Sequence, residues 1–345
     1  MRVLVAANLT PFFQGGAQAH IAGLTQAFAD HGHSVECLQL PFAFNPHAEV
    51  ERAMQAAAAL DMTSPSGQQI DRLVALQFPA YAITHPHAVA WVMHQHRAAY
   101  ELYEPSRAAP ADRALREAIH QYDQSALAPL SKAKRLFANS VRVAERLQTY
   151  NGLRATALYH PPPDAHRFHV RDAQDIIFFP SRFEGLKRQI LAIEAMAHVR
   201  APLTLVLAGD GGQLAAAQIL VERLGLQAKV KLLGRVSAEE KILWMAHALA
   251  VCYPPRDEDY GYVTLEAMLS SKPVITCTDS GGPLEFVQHE ETGWVVEPSP
   301  IALAQAFEDA YRNRTGAADM GQAGRSLFEA KQITWSHVVD TLLAA

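Results

Sequence analysis

The sequence has 345 residues, more than one ordinary hydrophobic core supports, so it predicts two domains. Hydrophobic residues make up 49% of it, which is enough for packed globular cores, and no run of about 18 apolar residues predicts a membrane span. A formal net charge of -5 and a pI near 6.3 give no broad basic surface, which argues against nucleic acid as the main ligand.

The cysteines and the N-terminal segment favour a cytoplasmic protein. Cys37, Cys252 and Cys277 lie far apart without a CxxC pair, and we interpret them as buried free thiols in a reducing compartment. The opening residues MRVLVAANLTPFFQGG are typical of a strand and a loop, and not of a signal peptide. Peripheral contact at the inner face of a membrane stays open.

Short apolar runs alternate with helical patterns along the chain, in two series. The first series has predicted helices within 17–32 and 140–150, and predicted strands within 2–8, 34–40, 72–78, 88–94 and 135–139. The second has a helix after each strand, with strands predicted within 175–181, 203–210, 229–234, 249–255, 272–277 and 293–297. Apolar strands that alternate with helices predict parallel sheets covered on both faces.

The alternation breaks at YHPPPDAHRFHVRDAQ, residues 159–174, where prolines and polar residues interrupt it. The sequence therefore predicts an α/β protein with two doubly wound, Rossmann-like domains, at 1–165 and 170–330. The amphipathic segment 332–345 is predicted to be a helix that packs back on the first domain. Open parallel sheets bind ligands beyond the carboxyl ends of their strands, so we expect the two domains to face each other across a cleft.

Glycines and histidines follow strands of the first domain. Gly15 and Gly16 lead into a helix, where free backbone N–H groups suit a phosphate or a sugar hydroxyl; an ordinary flexible loop is the alternative. His94 and His96 end a predicted strand, and alternation predicts that both point to the same side. Either suits a general base or a partner for a substrate hydroxyl, whereas a zinc site lacks a further ligand. The remaining histidines near the N-terminus are expected at surface or capping positions: His20, His31 and His33.

Two cations follow the first strand of the second domain, in FPSRFEGLKRQ. Arg182 and Lys187 flank a loop before a helix, so they could neutralise a diphosphate; two solvated surface cations are the alternative. Glu184 is a candidate partner for these cations, and we expect Arg188 to face solvent.

The stretch YPPRDEDYGYVTLEAM carries two acids eight residues apart. Glu258 is predicted in a loop and Glu266 about one turn into a helix that begins near Tyr262. Carboxylates accept hydrogen bonds from hydroxyls, so both acids suit a polyol ligand such as a sugar or a ribose. The backbone N–H groups of Gly261, Tyr262 and Val263 remain for a phosphate.

The acidic run also matches a DxD pattern, Asp257-Glu258-Asp259, which binds a divalent metal in another class of transferases. We expect no metal here, because Arg182 and Lys187 are available to balance charge.

Glycine turns recur at successive strand ends of the second domain. They lie in LAGDGG, in LLGRVSAEE and in SGGPLE, where a helix is expected after the glycines. Arg235 follows one of these turns and is a candidate donor-binding residue. Ser237 and Glu240 have the spacing of a capping box. Each turn is weak evidence alone, and their repetition at one sheet edge is the stronger signal.

Together these motifs resemble the retaining glycosyltransferases of family four, the glycosyl transferases group 1, which have the GT-B fold. The resemblance is strongest over 175–300. Its E-x7-E pattern corresponds to Glu258 and Glu266, and its paired cations near the donor diphosphate match Arg182 and Lys187. Its N-terminal glycine loop matches Gly15-Gly16, and its histidine near the donor sugar matches His94 or His96.

The resemblance implies a hexosyltransferase that retains configuration. A nucleoside diphosphate sugar, GDP-mannose or a UDP-hexose, would bind the second domain, and a saccharide or lipid-linked acceptor would bind the first, in glycan or polysaccharide biosynthesis. No further cofactor is implied. The alternatives are a nucleotide-sugar epimerase of the same fold and a non-catalytic subunit that binds nucleotide sugar.

Overall fold

The structure is a computed structural model that describes residues 1–12 and 15–345. Its strands are β1 (Arg2–Leu9), β2 (Ser34–Pro41), β3 (Arg72–Ala75), β4 (Ala88–Val92), β5 (Leu136–Ala138), β6 (Thr156–Ala157), β7 (Ile176–Pro180), β8 (Thr204–Ala208), β9 (Val230–Leu232), β10 (Ala250–Cys252), β11 (Val274–Cys277) and β12 (Gly293–Val296). Its helices are α1 (Gly16–Asp30), α2 (His47–Ala59), α3 (Pro110–Lys132), α4 (Val141–Asn151), α5 (Gln189–Met196), α6 (Leu214–Arg223), α7 (Ala238–His247), α8 (Tyr262–Leu269), α9 (Pro300–Arg312), α10 (Arg314–Ala330) and α11 (Trp335–Ala344).

The described residues form two compact units. The first contains Met1–Pro163 together with Thr334–Ala345, and the second contains Asp164–Ile333. Each unit has one sheet of six parallel strands with helices between them. The expectation of two doubly wound α/β folds is therefore confirmed.

The sheet of the first unit has the order β2-β1-β3-β4-β5-β6. Alternate residues of its strands enter two different hydrophobic clusters, one on each face. Val3 and Val5 of β1 lie in the cluster with α1, whereas Leu4 lies in the cluster with α2 and α3. Burial on both faces is what a near-continuous apolar strand predicts.

The last helix packs on the first unit. Val338, Val339 and Leu342 of α11 are buried in the cluster that contains the apolar face of α1. The Arg72 guanidinium donates to the carbonyls of Leu343 and Ala345, both at 2.7 Å. The segment 334–345 thus completes one face of the first sheet.

The sheet of the second unit has the order β12-β11-β10-β7-β8-β9. The chain runs outward from β7 in one direction and then resumes from β10 in the other, so the strand order reverses between β7 and β10. In open parallel sheets this switch point leaves a crevice at the carboxyl edge. The loops that follow β7 and β10 are the ones that line it.

Some local expectations are wrong. Cys252 and Cys277 are buried free thiols, but Cys37 is exposed because β2 is an edge strand. His20 is 2% exposed, because α1 turns it against Trp91 of β4 at a ring-centroid distance of 4.3 Å. Gly281 and Gly282 do not lead into a full helix, since only a short 3-10 turn, Gly282–Glu285, follows β11.

Candidate functional site

Backbone hydrogen bonds join the loops at the carboxyl edge of the second sheet. The Arg256 N–H, after β10, donates to the Leu186 carbonyl, after β7, at 2.7 Å. The Glu258 N–H donates to the Ser280 carbonyl, after β11, at 2.9 Å. Loops that are distant in sequence therefore hold one another in place at the switch point.

Lys187 and Glu258 meet at this edge. The Lys187 ammonium donates to Glu258 Oε2, and the Tyr253 hydroxyl donates to the same oxygen at 3.0 Å. Lys187 Nζ also lies 3.3 Å from the Tyr253 hydroxyl, and both charged side chains are 16% exposed. Burial, reinforced by the Glu258 carboxylate, raises the pKa of Tyr253, so the phenol stays a donor. The three side chains form a cluster of one cation, one carboxylate and one phenol in the loops at the carboxyl edge of the sheet.

Gly261 immediately precedes helix α8, beside this cluster. It has a φ of 87°, and a Cβ on it would lie 3.0 Å from the Tyr253 ring, so glycine suits both the conformation and the space. The first N–H groups of a helix have no acceptor within it, and no side chain caps this one. The helix starts near Tyr262 and places Glu258 in the loop before it, which confirms both expectations.

Glu266 is buried on α8, with its side chain only 4% exposed. Lys241 of α7 donates to its Oε1 at 2.6 Å, whereas Oε2 has no hydrogen-bond partner among the described residues. A buried carboxylate oxygen without a partner is costly, which makes it a candidate acceptor for a ligand hydroxyl. Sequence reasoning missed Lys241, as it missed Tyr253.

Arg182 and Arg188 have carboxylate partners. Arg182 donates to Glu184 at 2.5 Å, as expected, and its side chain is 41% exposed. Arg188 does not face solvent: it forms a two-pronged pair with Asp279 at 2.7 and 2.6 Å. This hydrogen-bonded pair lowers the pKa of Asp279 and links the loops after β7 and β11. Lys187 is the cation held next to Glu258, and Arg182 lies five residues earlier in the same loop, paired with Glu184.

The repeated glycine turns are places where one backbone touches another. A Cβ on Gly209 would lie 2.1 Å from the Ser181 carbonyl oxygen, and one on Gly211 would lie 2.6 Å from that of Phe183. A Cβ on Gly281 would lie 2.6 Å from the Glu258 carbonyl oxygen. These glycines let neighbouring loops pack closely enough to fix the site residues.

Arg235 and the capping box lie after β9. Ser237 Oγ accepts from the Glu240 N–H at 3.1 Å and Glu240 Oε2 accepts from the Ser237 N–H at 2.8 Å, which confirms the capping box. Arg235 is exposed. Across 1–12 and 15–345, no group of three or more His, Cys, Asp or Glu side chains could hold a metal ion.

Gly15 and Gly16 lie at the start of α1 in the first unit. Gly16 is the first helical residue, and Gly15 precedes it with extended backbone and no side-chain cap. The preceding Phe13 and Gln14, part of the loop that sequence reasoning singled out, lie outside the described residues.

His94 and His96 differ in environment. The premise that both lie on a strand is wrong, because β4 ends at Val92. His94 is half-exposed, with Nδ1 2.8 Å from the Gln95 carbonyl oxygen. His96 is 7% exposed, and burial lowers its pKa, with smaller contributions from nearby histidines. Its ring lies among phenylalanine rings, the nearest being Phe78 at 5.4 Å between centroids.

Comparison with known proteins gives a family and a fold. Residues 164–327 match the family described as Glycosyl transferases group 1. The chain is 33% identical to human alpha-1,3/1,6-mannosyltransferase ALG2 over 167 residues, 44% of this chain and 40% of that protein. It is 27% identical to D-inositol 3-phosphate glycosyltransferase of Jonesia denitrificans over 207 residues, 54% of this chain and 48% of that protein. The chain thus matches less than half the length of these relatives.

Solved structures resemble the chain over nearly its whole length. HepE of Anabaena, in complex with UDP and glucose, has a TM-score of 0.70 at 17% identity and covers 99% of both chains. Sucrose-phosphate synthase of Thermosynechococcus elongatus has a TM-score of 0.76 at 16% identity, covering 99% of this chain and 97% of its own. These likenesses identify the fold as GT-B. No helix within the described parts of the chain has the length and apolar character needed to cross a membrane.

Proposed function

Because residues 164–327 match the family described as Glycosyl transferases group 1, we propose that the chain transfers a sugar from a nucleoside diphosphate sugar to a saccharide or lipid-linked acceptor in glycan biosynthesis. One observation carries this proposal: the Lys187–Glu258–Tyr253 cluster lies at the carboxyl edge of the second sheet, beside the start of α8. Ligand sites of open parallel sheets lie at such switch points.

The donor diphosphate binds Lys187 and the start of α8. The Lys187 side chain is 16% exposed, and we assign the same anion to the backbone N–H groups of Gly261, Tyr262 and Val263, which lie at a helix start, where an anion is favoured. Arg182 approaches the same phosphates from the loop after β7, and Arg235 lies after β9. As the sugar leaves, negative charge grows on the diphosphate, and these fixed positive groups lower the barrier.

The two acids hold the sugars on either side of the diphosphate. Glu266 Oε2, buried and without a partner among the described residues, accepts a ribose hydroxyl, while Lys241 keeps Oε1 in position. Glu258 exchanges its contact with Lys187 for hydroxyls of the transferred sugar once phosphate takes the lysine. The acids at the helix start therefore serve the sugars and not the phosphate.

The reaction retains anomeric configuration, as the family resemblance implies, by attack on the same face as the departing phosphate. Same-face attack requires no enzymic nucleophile, so Glu258 acts as a hydrogen-bond acceptor for sugar hydroxyls. In the first unit, half-exposed His94 and the N–H groups after Gly15 and Gly16 are the candidates for contact with the donor, and no metal is invoked.

The names of the similar proteins support two different donors. ALG2 is named a mannosyltransferase, which favours GDP-mannose, whereas HepE is known in complex with UDP-glucose, which favours a UDP-hexose. We place the protein in the cytoplasm, since its cysteines are free. If the acceptor carries a lipid, we expect the protein to bind peripherally to the membrane.

Turnover by the purified chain tests the proposal. We expect it to release nucleoside diphosphate from GDP-mannose or from a UDP-hexose when a saccharide acceptor is supplied, and NMR of the product to show a retained anomeric centre. Nucleotide binding without turnover, over a broad acceptor panel, would assign a non-catalytic subunit instead. Inversion at the anomeric centre of the product would reject only the retaining mechanism and would leave the glycosyltransferase activity in place.

A further inference from the structure

A pocket of about 360 Å³ opens within the first unit. It lies between the start of α2, the segment that joins β4 to α3, and the first half of α3 itself. The loops after β2 and β4 are at the carboxyl edge of the sheet, where parallel sheets bind ligands. Its volume is within the range of small-molecule sites, roughly 300–1,000 Å³.

His96 gives the pocket a buried polar wall. The side chain is 7% exposed and lines the pocket, yet neither ring nitrogen has a hydrogen-bond partner on another of the described residues. A buried imidazole normally finds partners, and one without them is suited to a ligand that supplies a hydroxyl. Burial lowers the pKa of His96, so its ring is neutral and offers one donor and one acceptor nitrogen.

The charges on the pocket wall balance. Arg107 pairs with Glu104 at 3.1 Å, and His47 Nε2 lies 3.1 Å from Asp112. Arg116 donates from Nε to the Ala99 carbonyl at 3.0 Å. In formal charge, Arg107 and Arg116 are matched by Glu104 and Asp112, so the wall carries no net positive charge to favour a phosphate.

Apolar surface lies beside these polar groups. The Arg116 guanidinium sits over the Tyr103 ring, 4.7 Å from its centroid, and this pair forms part of the wall. Phe44 and Leu102 also line the pocket and are 53% and 42% exposed. A sugar ring combines C–H faces, which pack on such aromatic and apolar groups, with hydroxyls that bind the polar ones.

We propose that this pocket binds one neutral saccharide unit, and that this unit belongs to the acceptor. That the sugar belongs to the acceptor rests on the proposed function, whereas saccharide binding is argued from the pocket alone. The pocket accordingly discriminates against a sugar phosphate, which would bring two negative charges to a wall of no net charge.

Saturation-transfer NMR on the full chain tests the pocket. The probes are the methyl glycosides of mannose, glucose, galactose and N-acetylglucosamine, with mannose 6-phosphate as the charged comparison. We expect transfer to at least one methyl glycoside and weaker transfer to the phosphate. Tyr103→Ala should weaken the glycoside at least tenfold, and Tyr103→Phe, which keeps the ring, should preserve it.

Tyr311→Ala is the matched control. Tyr311 in the second unit also carries an arginine over its ring, Arg314 at 5.9 Å, but lies outside the pocket. This variant should bind glycoside like the unmodified chain. Absence of transfer to every methyl glycoside, unchanged transfer in Tyr103→Ala, or a preference for mannose 6-phosphate would each overturn the pocket assignment.

The same samples separate this inference from the proposed function. Thermal stabilisation by GDP or UDP reports the donor site, because a ligand that binds only the folded state raises its melting temperature. Stabilisation by nucleotide without glycoside transfer rejects the pocket and keeps the donor site. Glycoside transfer without nucleotide stabilisation rejects the proposed function and keeps the saccharide pocket.

Discussion

Glu266 is the residue that tests the donor-site assignment most strictly, because its carboxylate needs a ligand as a partner. It is buried on an apolar helix, one oxygen bonded to Lys241 and the other without a partner among the described residues. Burying an ionised carboxylate is expensive unless every lone pair is used. A ribose hydroxyl would complete the set of partners.

Glu266→Gln should weaken nucleoside diphosphate binding by about 1.5–3 kcal/mol, the value of a hydrogen bond to a charged group. The amide keeps the size of the side chain, so we expect little change in melting temperature. Titration calorimetry with UDP and GDP measures the effect, and Glu222→Gln, an exposed position of α6, is the control. A lower melting temperature with unchanged nucleotide affinity would make Glu266 a structural residue.

Asp123 is a second fully buried carboxylate, in the first unit. Tyr81 and Tyr100 donate to it, the latter at 2.7 Å, and Gln95 lies 3.4 Å away in the segment that carries both candidate histidines. Burial raises its pKa from 3.8 to about 6, although these hydrogen bonds oppose the shift. Asp123 thus ties the segment after β4 to helix α3.

The pH dependence of the free energy of unfolding tests the raised pKa of Asp123. With a folded-state pKa raised to about 6, Asp123 binds a proton in the native state that the unfolded state has already released, so its contribution to stability falls as pH rises from 4 to 6. The loss is at most about 3 kcal/mol. Urea unfolding of Asp123→Asn should lack this decline, whereas Asp340→Asn, an exposed position of α11, should keep it. An identical pH slope in Asp123→Asn and the unmodified chain would contradict the raised pKa.

Among the elements, helix α10 lies unusually close to the turn after α8. A Cβ on Gly321 would lie 2.1 Å from the Ser271 carbonyl oxygen, which is backbone and cannot turn away. One turn along, the atom nearest to a Cβ on Gly324 would belong to the flexible Met268 side chain, at 3.3 Å, with the Thr292 side chain at 3.8 Å. The two glycines share a helix and differ in what they touch.

Gly321→Ala should therefore destabilise the second unit by about 1–3 kcal/mol, as overpacked positions do. Helix propensity alone predicts the opposite sign, a gain of about 0.5–1 kcal/mol. Gly324→Ala is the matched control and should stay within about 1 kcal/mol of the unmodified chain. Thermal unfolding of both variants measures the difference, and a stabilised Gly321→Ala would contradict the close packing of α10.

Element positions follow from the sequence better than contacts do. The strands of the second series and the start of α8 were predictable, since apolar runs bounded by glycine turns mark them. Helices α2, α3 and α10 were not predicted from the sequence. Strand β4 ends before His94, whereas the predicted strand included it, because a run of apolar residues does not reveal where backbone pairing stops. The expected helix after Gly281 is only a short turn, since its backbone packs on the loop that carries Glu258.

For the molecule as a whole, the candidate site depends on strand order, which no local pattern records. Lys187 and Glu258 are 71 residues apart and meet because β7 and β10 are neighbours in the sheet. The acids and cations themselves were recognisable from their motifs. Their partners Tyr253 and Lys241 were not. Lys241 comes from a different helix than Glu266, and Tyr253, although only five residues before Glu258, belongs to no motif that shows its hydroxyl turning back to that carboxylate.

The measurement that tests the central claim most directly is calorimetric titration of UDP, GDP, ADP and TDP into the chain, its Lys187→Ala variant and its Lys231→Ala variant. Lys231 is an exposed lysine of β9 and serves as the control. We predict binding of one nucleotide, at least tenfold weaker in Lys187→Ala, since about 1.5–3 kcal/mol of charged contact is lost, and unchanged in Lys231→Ala. Absence of binding by every nucleotide, or equal affinity in Lys187→Ala, would contradict a donor diphosphate site at Lys187.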